Sequence, residues 1–424
     1  MSRELPSAVV GSSAHDRGHA SAAPAGARSP GVCFVSCHFP PLSRTARRYG
    51  FARLLADGGC RVEVVAHGNV SRALGAFVDD AGMAADDAEI PVHRPHGLPW
   101  HLAGEVLYRI GVLPCPHLNW MPAAVRAAAR VAAGPQDVVL GVYPPLTDLL
   151  VAAAVSRRTG ARLVLDFRDE YRGLHSGLRS GWARVLEPRL VQRAALVSAA
   201  TEAVLEGLAA RYRLPAERRQ LTHNGYWEEV AQDVSLPARP GFRLVYAGAL
   251  SGAQGLEVLA AAVERLGRER PDLRAACEVV VYGPDNAYLR RRLGGRLAAA
   301  GVRYGGFLPA AQVSGALLDA DACFLSLASE RFAYAVPGKL YEGIAHARPL
   351  LACLPAGGAR RLIEEEGFGL VAPCGDAAEL ASRLAEMMEP SRRLQFHARL
   401  LARRGCYAAR PQFLALARRI QGLP

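Results

Sequence analysis

Lysine is almost missing from this 424-residue chain: of its 51 basic side chains, only Lys339 is a lysine and the rest are arginines. A GC-rich coding bias replaces lysine by arginine wherever the two are physically equivalent. Unless its survival is chance, Lys339 marks a place where a compact, flexible ammonium is needed. Long apolar runs are lacking too. Half of the residues are hydrophobic, yet none of the runs reaches the roughly 18 unbroken apolar residues of a membrane span, so a soluble protein is expected. The nine cysteines are scattered singly, with no CxxC pair and no zinc-ligand spacing. Neither a disulfide framework nor a structural metal is suggested, and a reducing cytoplasm fits best. Basic runs with interleaved aromatics are absent, which argues against nucleic acid. The net charge of +12 therefore points to other anions, nucleotide phosphates or a lipid phosphate surface. Residues 1–30 have no apolar signal-peptide core and are rich in Ala, Ser, Gly and Pro; they read as a disordered tail.

What is present is a repeated alternation of strand and helix. VCFVSCHF (32–39) reads as a buried strand, PPLSRTA as a loop, RRYGFARLLADGG (47–59) as a helix ending in glycines, and RVEVVAH as the next strand. This is how a doubly wound parallel sheet begins, with its first loop on the carboxyl edge where ligands bind. DVVLGVY (137–143), ARLVLDF (161–167) and AALVSAA (194–200) repeat the unit, whereas residues 70–120 follow no regular pattern. After a polar, proline-containing linker, VAQDVSLPARPG, the pattern restarts with FRLVYAG (242–248), CEVVVYG (277–283), VRYGGFL (302–308), ACFLSLA (322–328), PLLACLP (349–355) and GLVAPC (369–374). Two α/β domains of Rossmann type are expected, residues 31–235 and 236–400. Residues 401–424 should form a helix packing back on the first domain. Two such domains place two carboxyl edges across a cleft.

Chemistry concentrates at a few of those edges. In AVPGKLYEGIAHARPLL (335–351) a turn through Gly338 leads into a helix carrying Lys339 and Glu342 near its start. Free amides and the helix dipole favour a phosphate there, the ammonium adds a full charge, and the carboxylate one turn on can accept hydrogen bonds from ribose hydroxyls. The plainer alternative is a solvated ion pair one turn apart. In LVYAGALSGAQGLEVL (244–259) a strand enters a loop with Gly248, Gly252 and Gly255, either a phosphate cradle or a tight turn; Gly283 closes the neighbouring strand. Arg44, Arg47 and Arg48 sit at the matching edge of the first domain, either facing a diphosphate or forming a solvated helix start. LVLDFRDEY (163–171) crowds Asp166, Arg168 and Asp169 at a strand's carboxyl end, facing the crevice or forming a local ion-pair network. Asn224-Gly225 is either a cleft-lining turn or only a turn.

Taken in order, these segments resemble the retaining GT-B glycosyltransferases of family 4 over roughly residues 31–400. The resemblance is closest to a branch of bacterial sugar transferases with a PxKxxE segment, here Pro337, Lys339 and Glu342. It implies a nucleoside-diphosphate-sugar donor on the C-terminal domain and an acceptor on the N-terminal one, which is a small molecule, a glycan or a lipid-linked sugar. Transfer would proceed with retention and without a cofactor, and independence of metal is expected on a reading that finds no Asp-x-Asp motif, an expectation whose ground is corrected below. It also implies that Lys339 contacts the diphosphate and Glu342 the ribose, and that Arg168 replaces a histidine near the transferred sugar. The sequence departs from the family in having Tyr334 where a first glutamate is usual, Ala249 and Gln254 where an arginine and a lysine are usual, and Ser43 and Arg44 in place of paired glycines. On this reading Arg168, Asp169 and Lys339 are the catalytic candidates; Arg44, Arg47, Asp166, Asn224, Gly248, Gly252, Gln254, Gly255, Gly283, Gly338, Tyr334 and Glu342 line the substrates. The same architecture would suit a sugar-nucleotide 2-epimerase or a non-catalytic nucleotide-sugar-binding partner. A cytoplasmic protein is expected, with peripheral contact to an anionic membrane as a further option.

Overall fold

A computed structural model describes residues 31–39, 46–68, 90–99, 101–172, 178–227, 230 and 234–424. The expected tail, Arg44 and part of the linker lie outside these residues. The first sheet comprises β1 (Gly31–Ser36), β2 (Arg61–Ala66), β3 (Val92–His93), β4 (Val138–Tyr143), β5 (Arg162–Phe167), β6 (Leu196–Ala199) and β7 (Arg219–Leu221), in the order β3-β2-β1-β4-β5-β6-β7. The second comprises β8 (Phe242–Ala247), β9 (Cys277–Tyr282), β10 (Arg303–Gly306), β11 (Ala322–Ser326), β12 (Leu350–Leu354) and β13 (Gly369–Pro373), in the order β10-β9-β8-β11-β12-β13. Every recorded pairing is parallel. Both sheets are therefore Rossmann-like, and the protein is an α/β fold of two such units.

The apolar runs form strands because helices cover both faces. In β1, Val32 and Phe34 enter one core cluster while Cys33 and Val35 enter the other. A strand buried on both sides reads as a continuous hydrophobic run rather than as an alternation, which is why the runs stand out in the sequence. β3 and β7 are edge strands of two and three residues, too short to leave such a signature. In each sheet the chain reverses direction across the strand order once, between β1 and β4 and between β8 and β11. Loops on the two sides of that point diverge, leaving a crevice at the carboxyl edge.

The chain returns to the first domain at its end. The Ala409–Gln421 helix buries Ala409, Phe413, Leu416, Ala417 and Ile420 in the cluster that contains Phe34 and Phe51. Phe413 lies 4.5 Å from Phe51 and 4.8 Å from Trp227, ring centre to ring centre. Backbone pairing anchors the return: Tyr226 N–H donates to Tyr407 O at 3.1 Å, and Ala409 N–H donates to Tyr226 O at 2.8 Å. Gly225 makes this approach possible. Its φ is +59°, and a β-carbon there would lie 2.7 Å from Ala409 N. The Asn224-Gly225 turn thus serves as the seat of the returning segment. Among the described residues no helix is long and apolar enough to cross a membrane. Gly225→Ala should cost about 2 kcal/mol or more, since it combines left-handed strain with a backbone clash. Urea unfolding measures this, and an unchanged midpoint would mean that the crossing is not held there.

Candidate active site

The second sheet's half of the crevice is built around one close approach. Gly248 follows β8 with φ +153°, and a β-carbon there would lie 1.8 Å from Lys339 Cε and 2.0 Å from its Nζ. The space left by the missing side chain is where the lysine runs. Lys339 is in the first turn of the Gly338–Ala345 helix, whose N-cap is Pro337 and whose first amides receive no side-chain cap. Proline's fixed φ suits a helix entrance, and a cap without a polar side chain leaves N–H groups for another acceptor. The ammonium sits 5.4 Å from the centre of the Tyr246 ring. Burial, then Tyr288 and Glu342, raise the Tyr246 hydroxyl above its usual range, so Lys339 and Glu342 share one neighbourhood at the end of β8.

The glycine loop closes this half. Ser251 Oγ donates to Gln254 Oε1 at 2.7 Å, and Ala328 N–H donates to Ala253 O at 2.9 Å, tying the loop after β8 to the one after β11 across the switch point. Gly255, at φ +57°, lies against Ala328, and Gly283 lies against Gly248 O. At Gly252 an added β-carbon would meet nothing within 4 Å, so no steric reason requires glycine at that position.

The first sheet's half is held by buried charge. Asp148, fully buried in the first turn of the Leu146–Thr159 helix, accepts Cys37 N–H at 2.9 Å through Oδ1 and Arg48 at 3.1 Å through Oδ2. Burial pushes its carboxyl up to about 7, against the pull of Arg48 and of the Cys37 amide. Arg48 also donates to Ser36 Oγ at 2.9 Å and to Pro144 O. It is therefore a strut between the loops after β1 and β4. Of its two neighbours, Arg44 lies outside the described residues, as does the side chain of Arg47.

Arg168 and Asp169 part company. The guanidinium of Arg168 grips both oxygens of the fully buried Asp166, donates to Thr222 O at 2.8 Å and reaches Asn224 Oδ1 at 3.5 Å. It also lies 5.1 Å from the Phe413 ring centre. It is a clamp that fixes the strand end and the returning helix. Asp166, completely enclosed beneath it, offers no oxygen to a substrate. Asp169 is instead half-buried and lies within electrostatic reach of Tyr334. Its carboxyl is raised by burial, with Arg168 and Arg48 pulling it down. It in turn helps to raise the hydroxyls of Tyr143 and of Tyr334, in both of which burial is the larger cause. Tyr334 belongs to the second domain but packs against the first domain's core, and its carbonyl accepts Thr201 Oγ1 at 3.4 Å. Asp169 and Tyr143 thus lie within electrostatic reach of the point where Tyr334 packs on the first domain.

Two family models cover the two halves: one described as a glycosyl transferase 4-like domain matches residues 43–225, and one described as glycosyl transferases group 1 matches residues 241–390. The chain belongs to the GT-B glycosyltransferases of family 4. Solved structures share the transferase's fold across nearly its whole length. Anabaena HepE, in complex with UDP and glucose, superposes with a TM-score of 0.65 at 17% identity, over 91% of this chain and 98% of that one. A glycosyltransferase from Rickettsia africae gives 0.64 at 11% identity over 94% and 100%. WaaG, a glycosyltransferase of lipopolysaccharide biosynthesis, gives 0.59 at 15% identity over 92% and 100%. No curated protein matches the chain in sequence.

Some features of the transferase escaped the sequence reading. Asp148 was missed, although an acid five residues after Tyr143 in a Pro-Pro helix start is a readable signal. An Asp-x-Asp triplet, the motif often associated with a metal-held diphosphate, does occur at Asp319-Ala320-Asp321. Both carboxylates point to arginines at the amino edge of the second sheet, Asp319 to Arg239 and Arg243 and Asp321 to Arg239. The triplet therefore lies at the opposite end of β11 from Lys339. Arg168→Ala should lower stability by about 3–5 kcal/mol, because it leaves the buried Asp166 carboxylate without its partner. Chemical denaturation reads this directly; unchanged stability with lost turnover would make Arg168 a substrate contact instead.

Proposed function

We propose that this glycosyltransferase takes a sugar from a nucleoside-diphosphate donor seated on the second domain and passes it, with retention and without a metal, to an acceptor seated on the first. The observation that carries the reading is the placement of Lys339: the chain's single lysine lies in a helix's first turn and runs through the space above Gly248. A diphosphate leaving group gains charge as the glycosidic bond breaks, and an ammonium beside uncapped amides stabilises that charge without reorganising. Glu342, in the same neighbourhood, suits the ribose hydroxyls. HepE, a relative in fold, was solved with UDP and glucose, which supports a uridine-type donor as the first to try. Retention fits front-face attack, in which the departing phosphate oxygen takes the acceptor's proton. Asp169 and Tyr334, where the domains touch, are the candidates to orient the sugar and its acceptor, and Tyr334 then fills a place that a glutamate holds in many relatives.

The first domain also offers a surface for a lipid-linked acceptor. Leu178, Trp182 and Val185 are exposed on one helix, and Val106, Ile110 and Val112 are exposed nearby; Trp182 Nε1 donates to Val112 O at 3.2 Å and joins the two groups. Arg109, Arg184 and Arg189 are exposed on the same helices, a combination that suits peripheral contact with anionic headgroups on a cytoplasmic membrane face.

Lys339→Ala should lower kcat/KM by roughly 100-fold or more while leaving the unfolding midpoint almost unchanged. Full activity in that variant would defeat the donor-site assignment. Turnover should survive treatment with EDTA; its abolition, with rescue by manganese, would place a hard cation on the diphosphate. Vesicles containing an anionic lipid should retain the protein on sedimentation, and the pair Ile110→Asp and Trp182→Asp should release it. Equal binding of the two forms would remove the membrane surface from the reading.

A further inference from the structure

We propose that Cys37, His38 and His117 form a binding site for a soft divalent cation of the zinc class, at the carboxyl edge of the first sheet. Spacing along the chain suggests no metal, because 79 positions separate the two histidines. The fold removes that distance. One ligand atom from each of the three residues lies within 4.8 Å of the others, the single such group of His, Cys, Asp and Glu side chains found among the described residues.

The spacing of the two histidines is close to what a tetrahedral ion requires. His38 Nε2 and His117 Nε2 are 3.2 Å apart. With metal–nitrogen bonds of about 2.0–2.1 Å, two imidazole nitrogens on a tetrahedral zinc lie about 3.3 Å from each other. The rings stand nearly perpendicular, at 88° with centres 4.9 Å apart. A lone imidazole-to-imidazole hydrogen bond would account for that pair, but it leaves the nearby thiol unexplained. Cys37 is fully buried and follows β1 directly, so it is presented by a rigid strand end.

The surroundings supply what metal sites usually need beyond their ligands. Asp148 Oδ1 accepts the Cys37 N–H at 2.9 Å and holds its backbone in place, the kind of outer-shell support that orients a metal ligand. His67 stacks on Trp120 at 5.3 Å and lies 6.2 Å from the His117 ring, forming a wall of the site. Cys115, two residues before His117, lies near Cys37 but outside the group, its sulfur accepting Thr147 Oγ1 at 2.8 Å. One thiolate and two imidazoles select zinc over magnesium or manganese, which prefer oxygen. On binding, the Cys37 thiol proton leaves to solvent and the sulfur lone pair goes to the metal. Three protein ligands leave a fourth position for water. The site belongs to the first domain and is separate from Lys339, so it does not call for a metal on the donor diphosphate. Its effect would be to tie the end of β1 to the segment that leads into Trp120.

Metal analysis of the untagged full-length protein, with competition against a chromogenic zinc chelator, tests the proposal. About one zinc per chain is expected. Cys37→Ser and His117→Gln should each weaken binding by at least the 10- to 100-fold that loss of an outer-shell partner typically costs, and Cys406→Ser, at an exposed thiol, should not. The cobalt-loaded protein should show tetrahedral d–d bands together with a thiolate charge-transfer band that disappears in Cys37→Ser. If Cys37→Ser fails to fold, His117→Gln and the cobalt spectrum of the unmodified protein decide. Zinc held no tighter than about micromolar, binding unaltered by His117→Gln, or a cobalt spectrum without the thiolate band would each overturn the site.

Discussion

The constraint on which this molecule depends is the double crossing between its two sheets. The chain passes to the second domain after Trp227 and comes back through Tyr407, Ala408 and Ala409, where it pairs by its backbone with Tyr226. Gly225 allows the two segments to touch, and the Arg168 guanidinium, clamped on Asp166, lies against Phe413 of the returning helix. A single covalent linker would let the carboxyl edges swing apart. A second crossing, its returning helix buried in the first domain's core, ties the two sheets together through two neighbouring stretches of chain.

Within that frame the two halves of the crevice are made by different physics. The second domain uses little side-chain material: glycines at 248, 255 and 283 bring backbone and ammonium together, and the charge is concentrated in Lys339 and Glu342. The first domain uses a buried ion pair, Arg48 with Asp148, to join the loops after β1 and β4. Removing charges from water is costly, and such a pair is retained only where the hydrogen bonds around it are complete; here Cys37, Ser36 and Pro144 provide them.

The fold class and the glycosyltransferase family were legible in the sequence for a physical reason. Strands covered on both faces, such as β4 and β12, must be unbroken apolar runs, and each is followed by a helix that returns the chain to the next parallel strand. Glycine at 248 and lysine at 339 were also visible as residue choices that backbone geometry and charge restrict. What they do for each other was not, because the contact spans some ninety residues of chain.

Tertiary structure alone decided how neighbouring charges divide their tasks. Asp166, Arg168 and Asp169 are nearly adjacent in sequence, yet two of them lock the core while the third stays out of that clamp, since a strand sends alternate side chains in opposite directions and the loop after it turns. The Asp319-Ala320-Asp321 triplet looks like a ligand motif until its position at the amino edge of β11 ties it to Arg239 and Arg243. The Cys37, His38 and His117 cluster shows the converse. Local sequence shows residue types and short-range spacing, whereas a parallel sheet brings to one edge the ends of strands and loops that the chain visits far apart, and which groups meet there is settled only when the sheet is assembled.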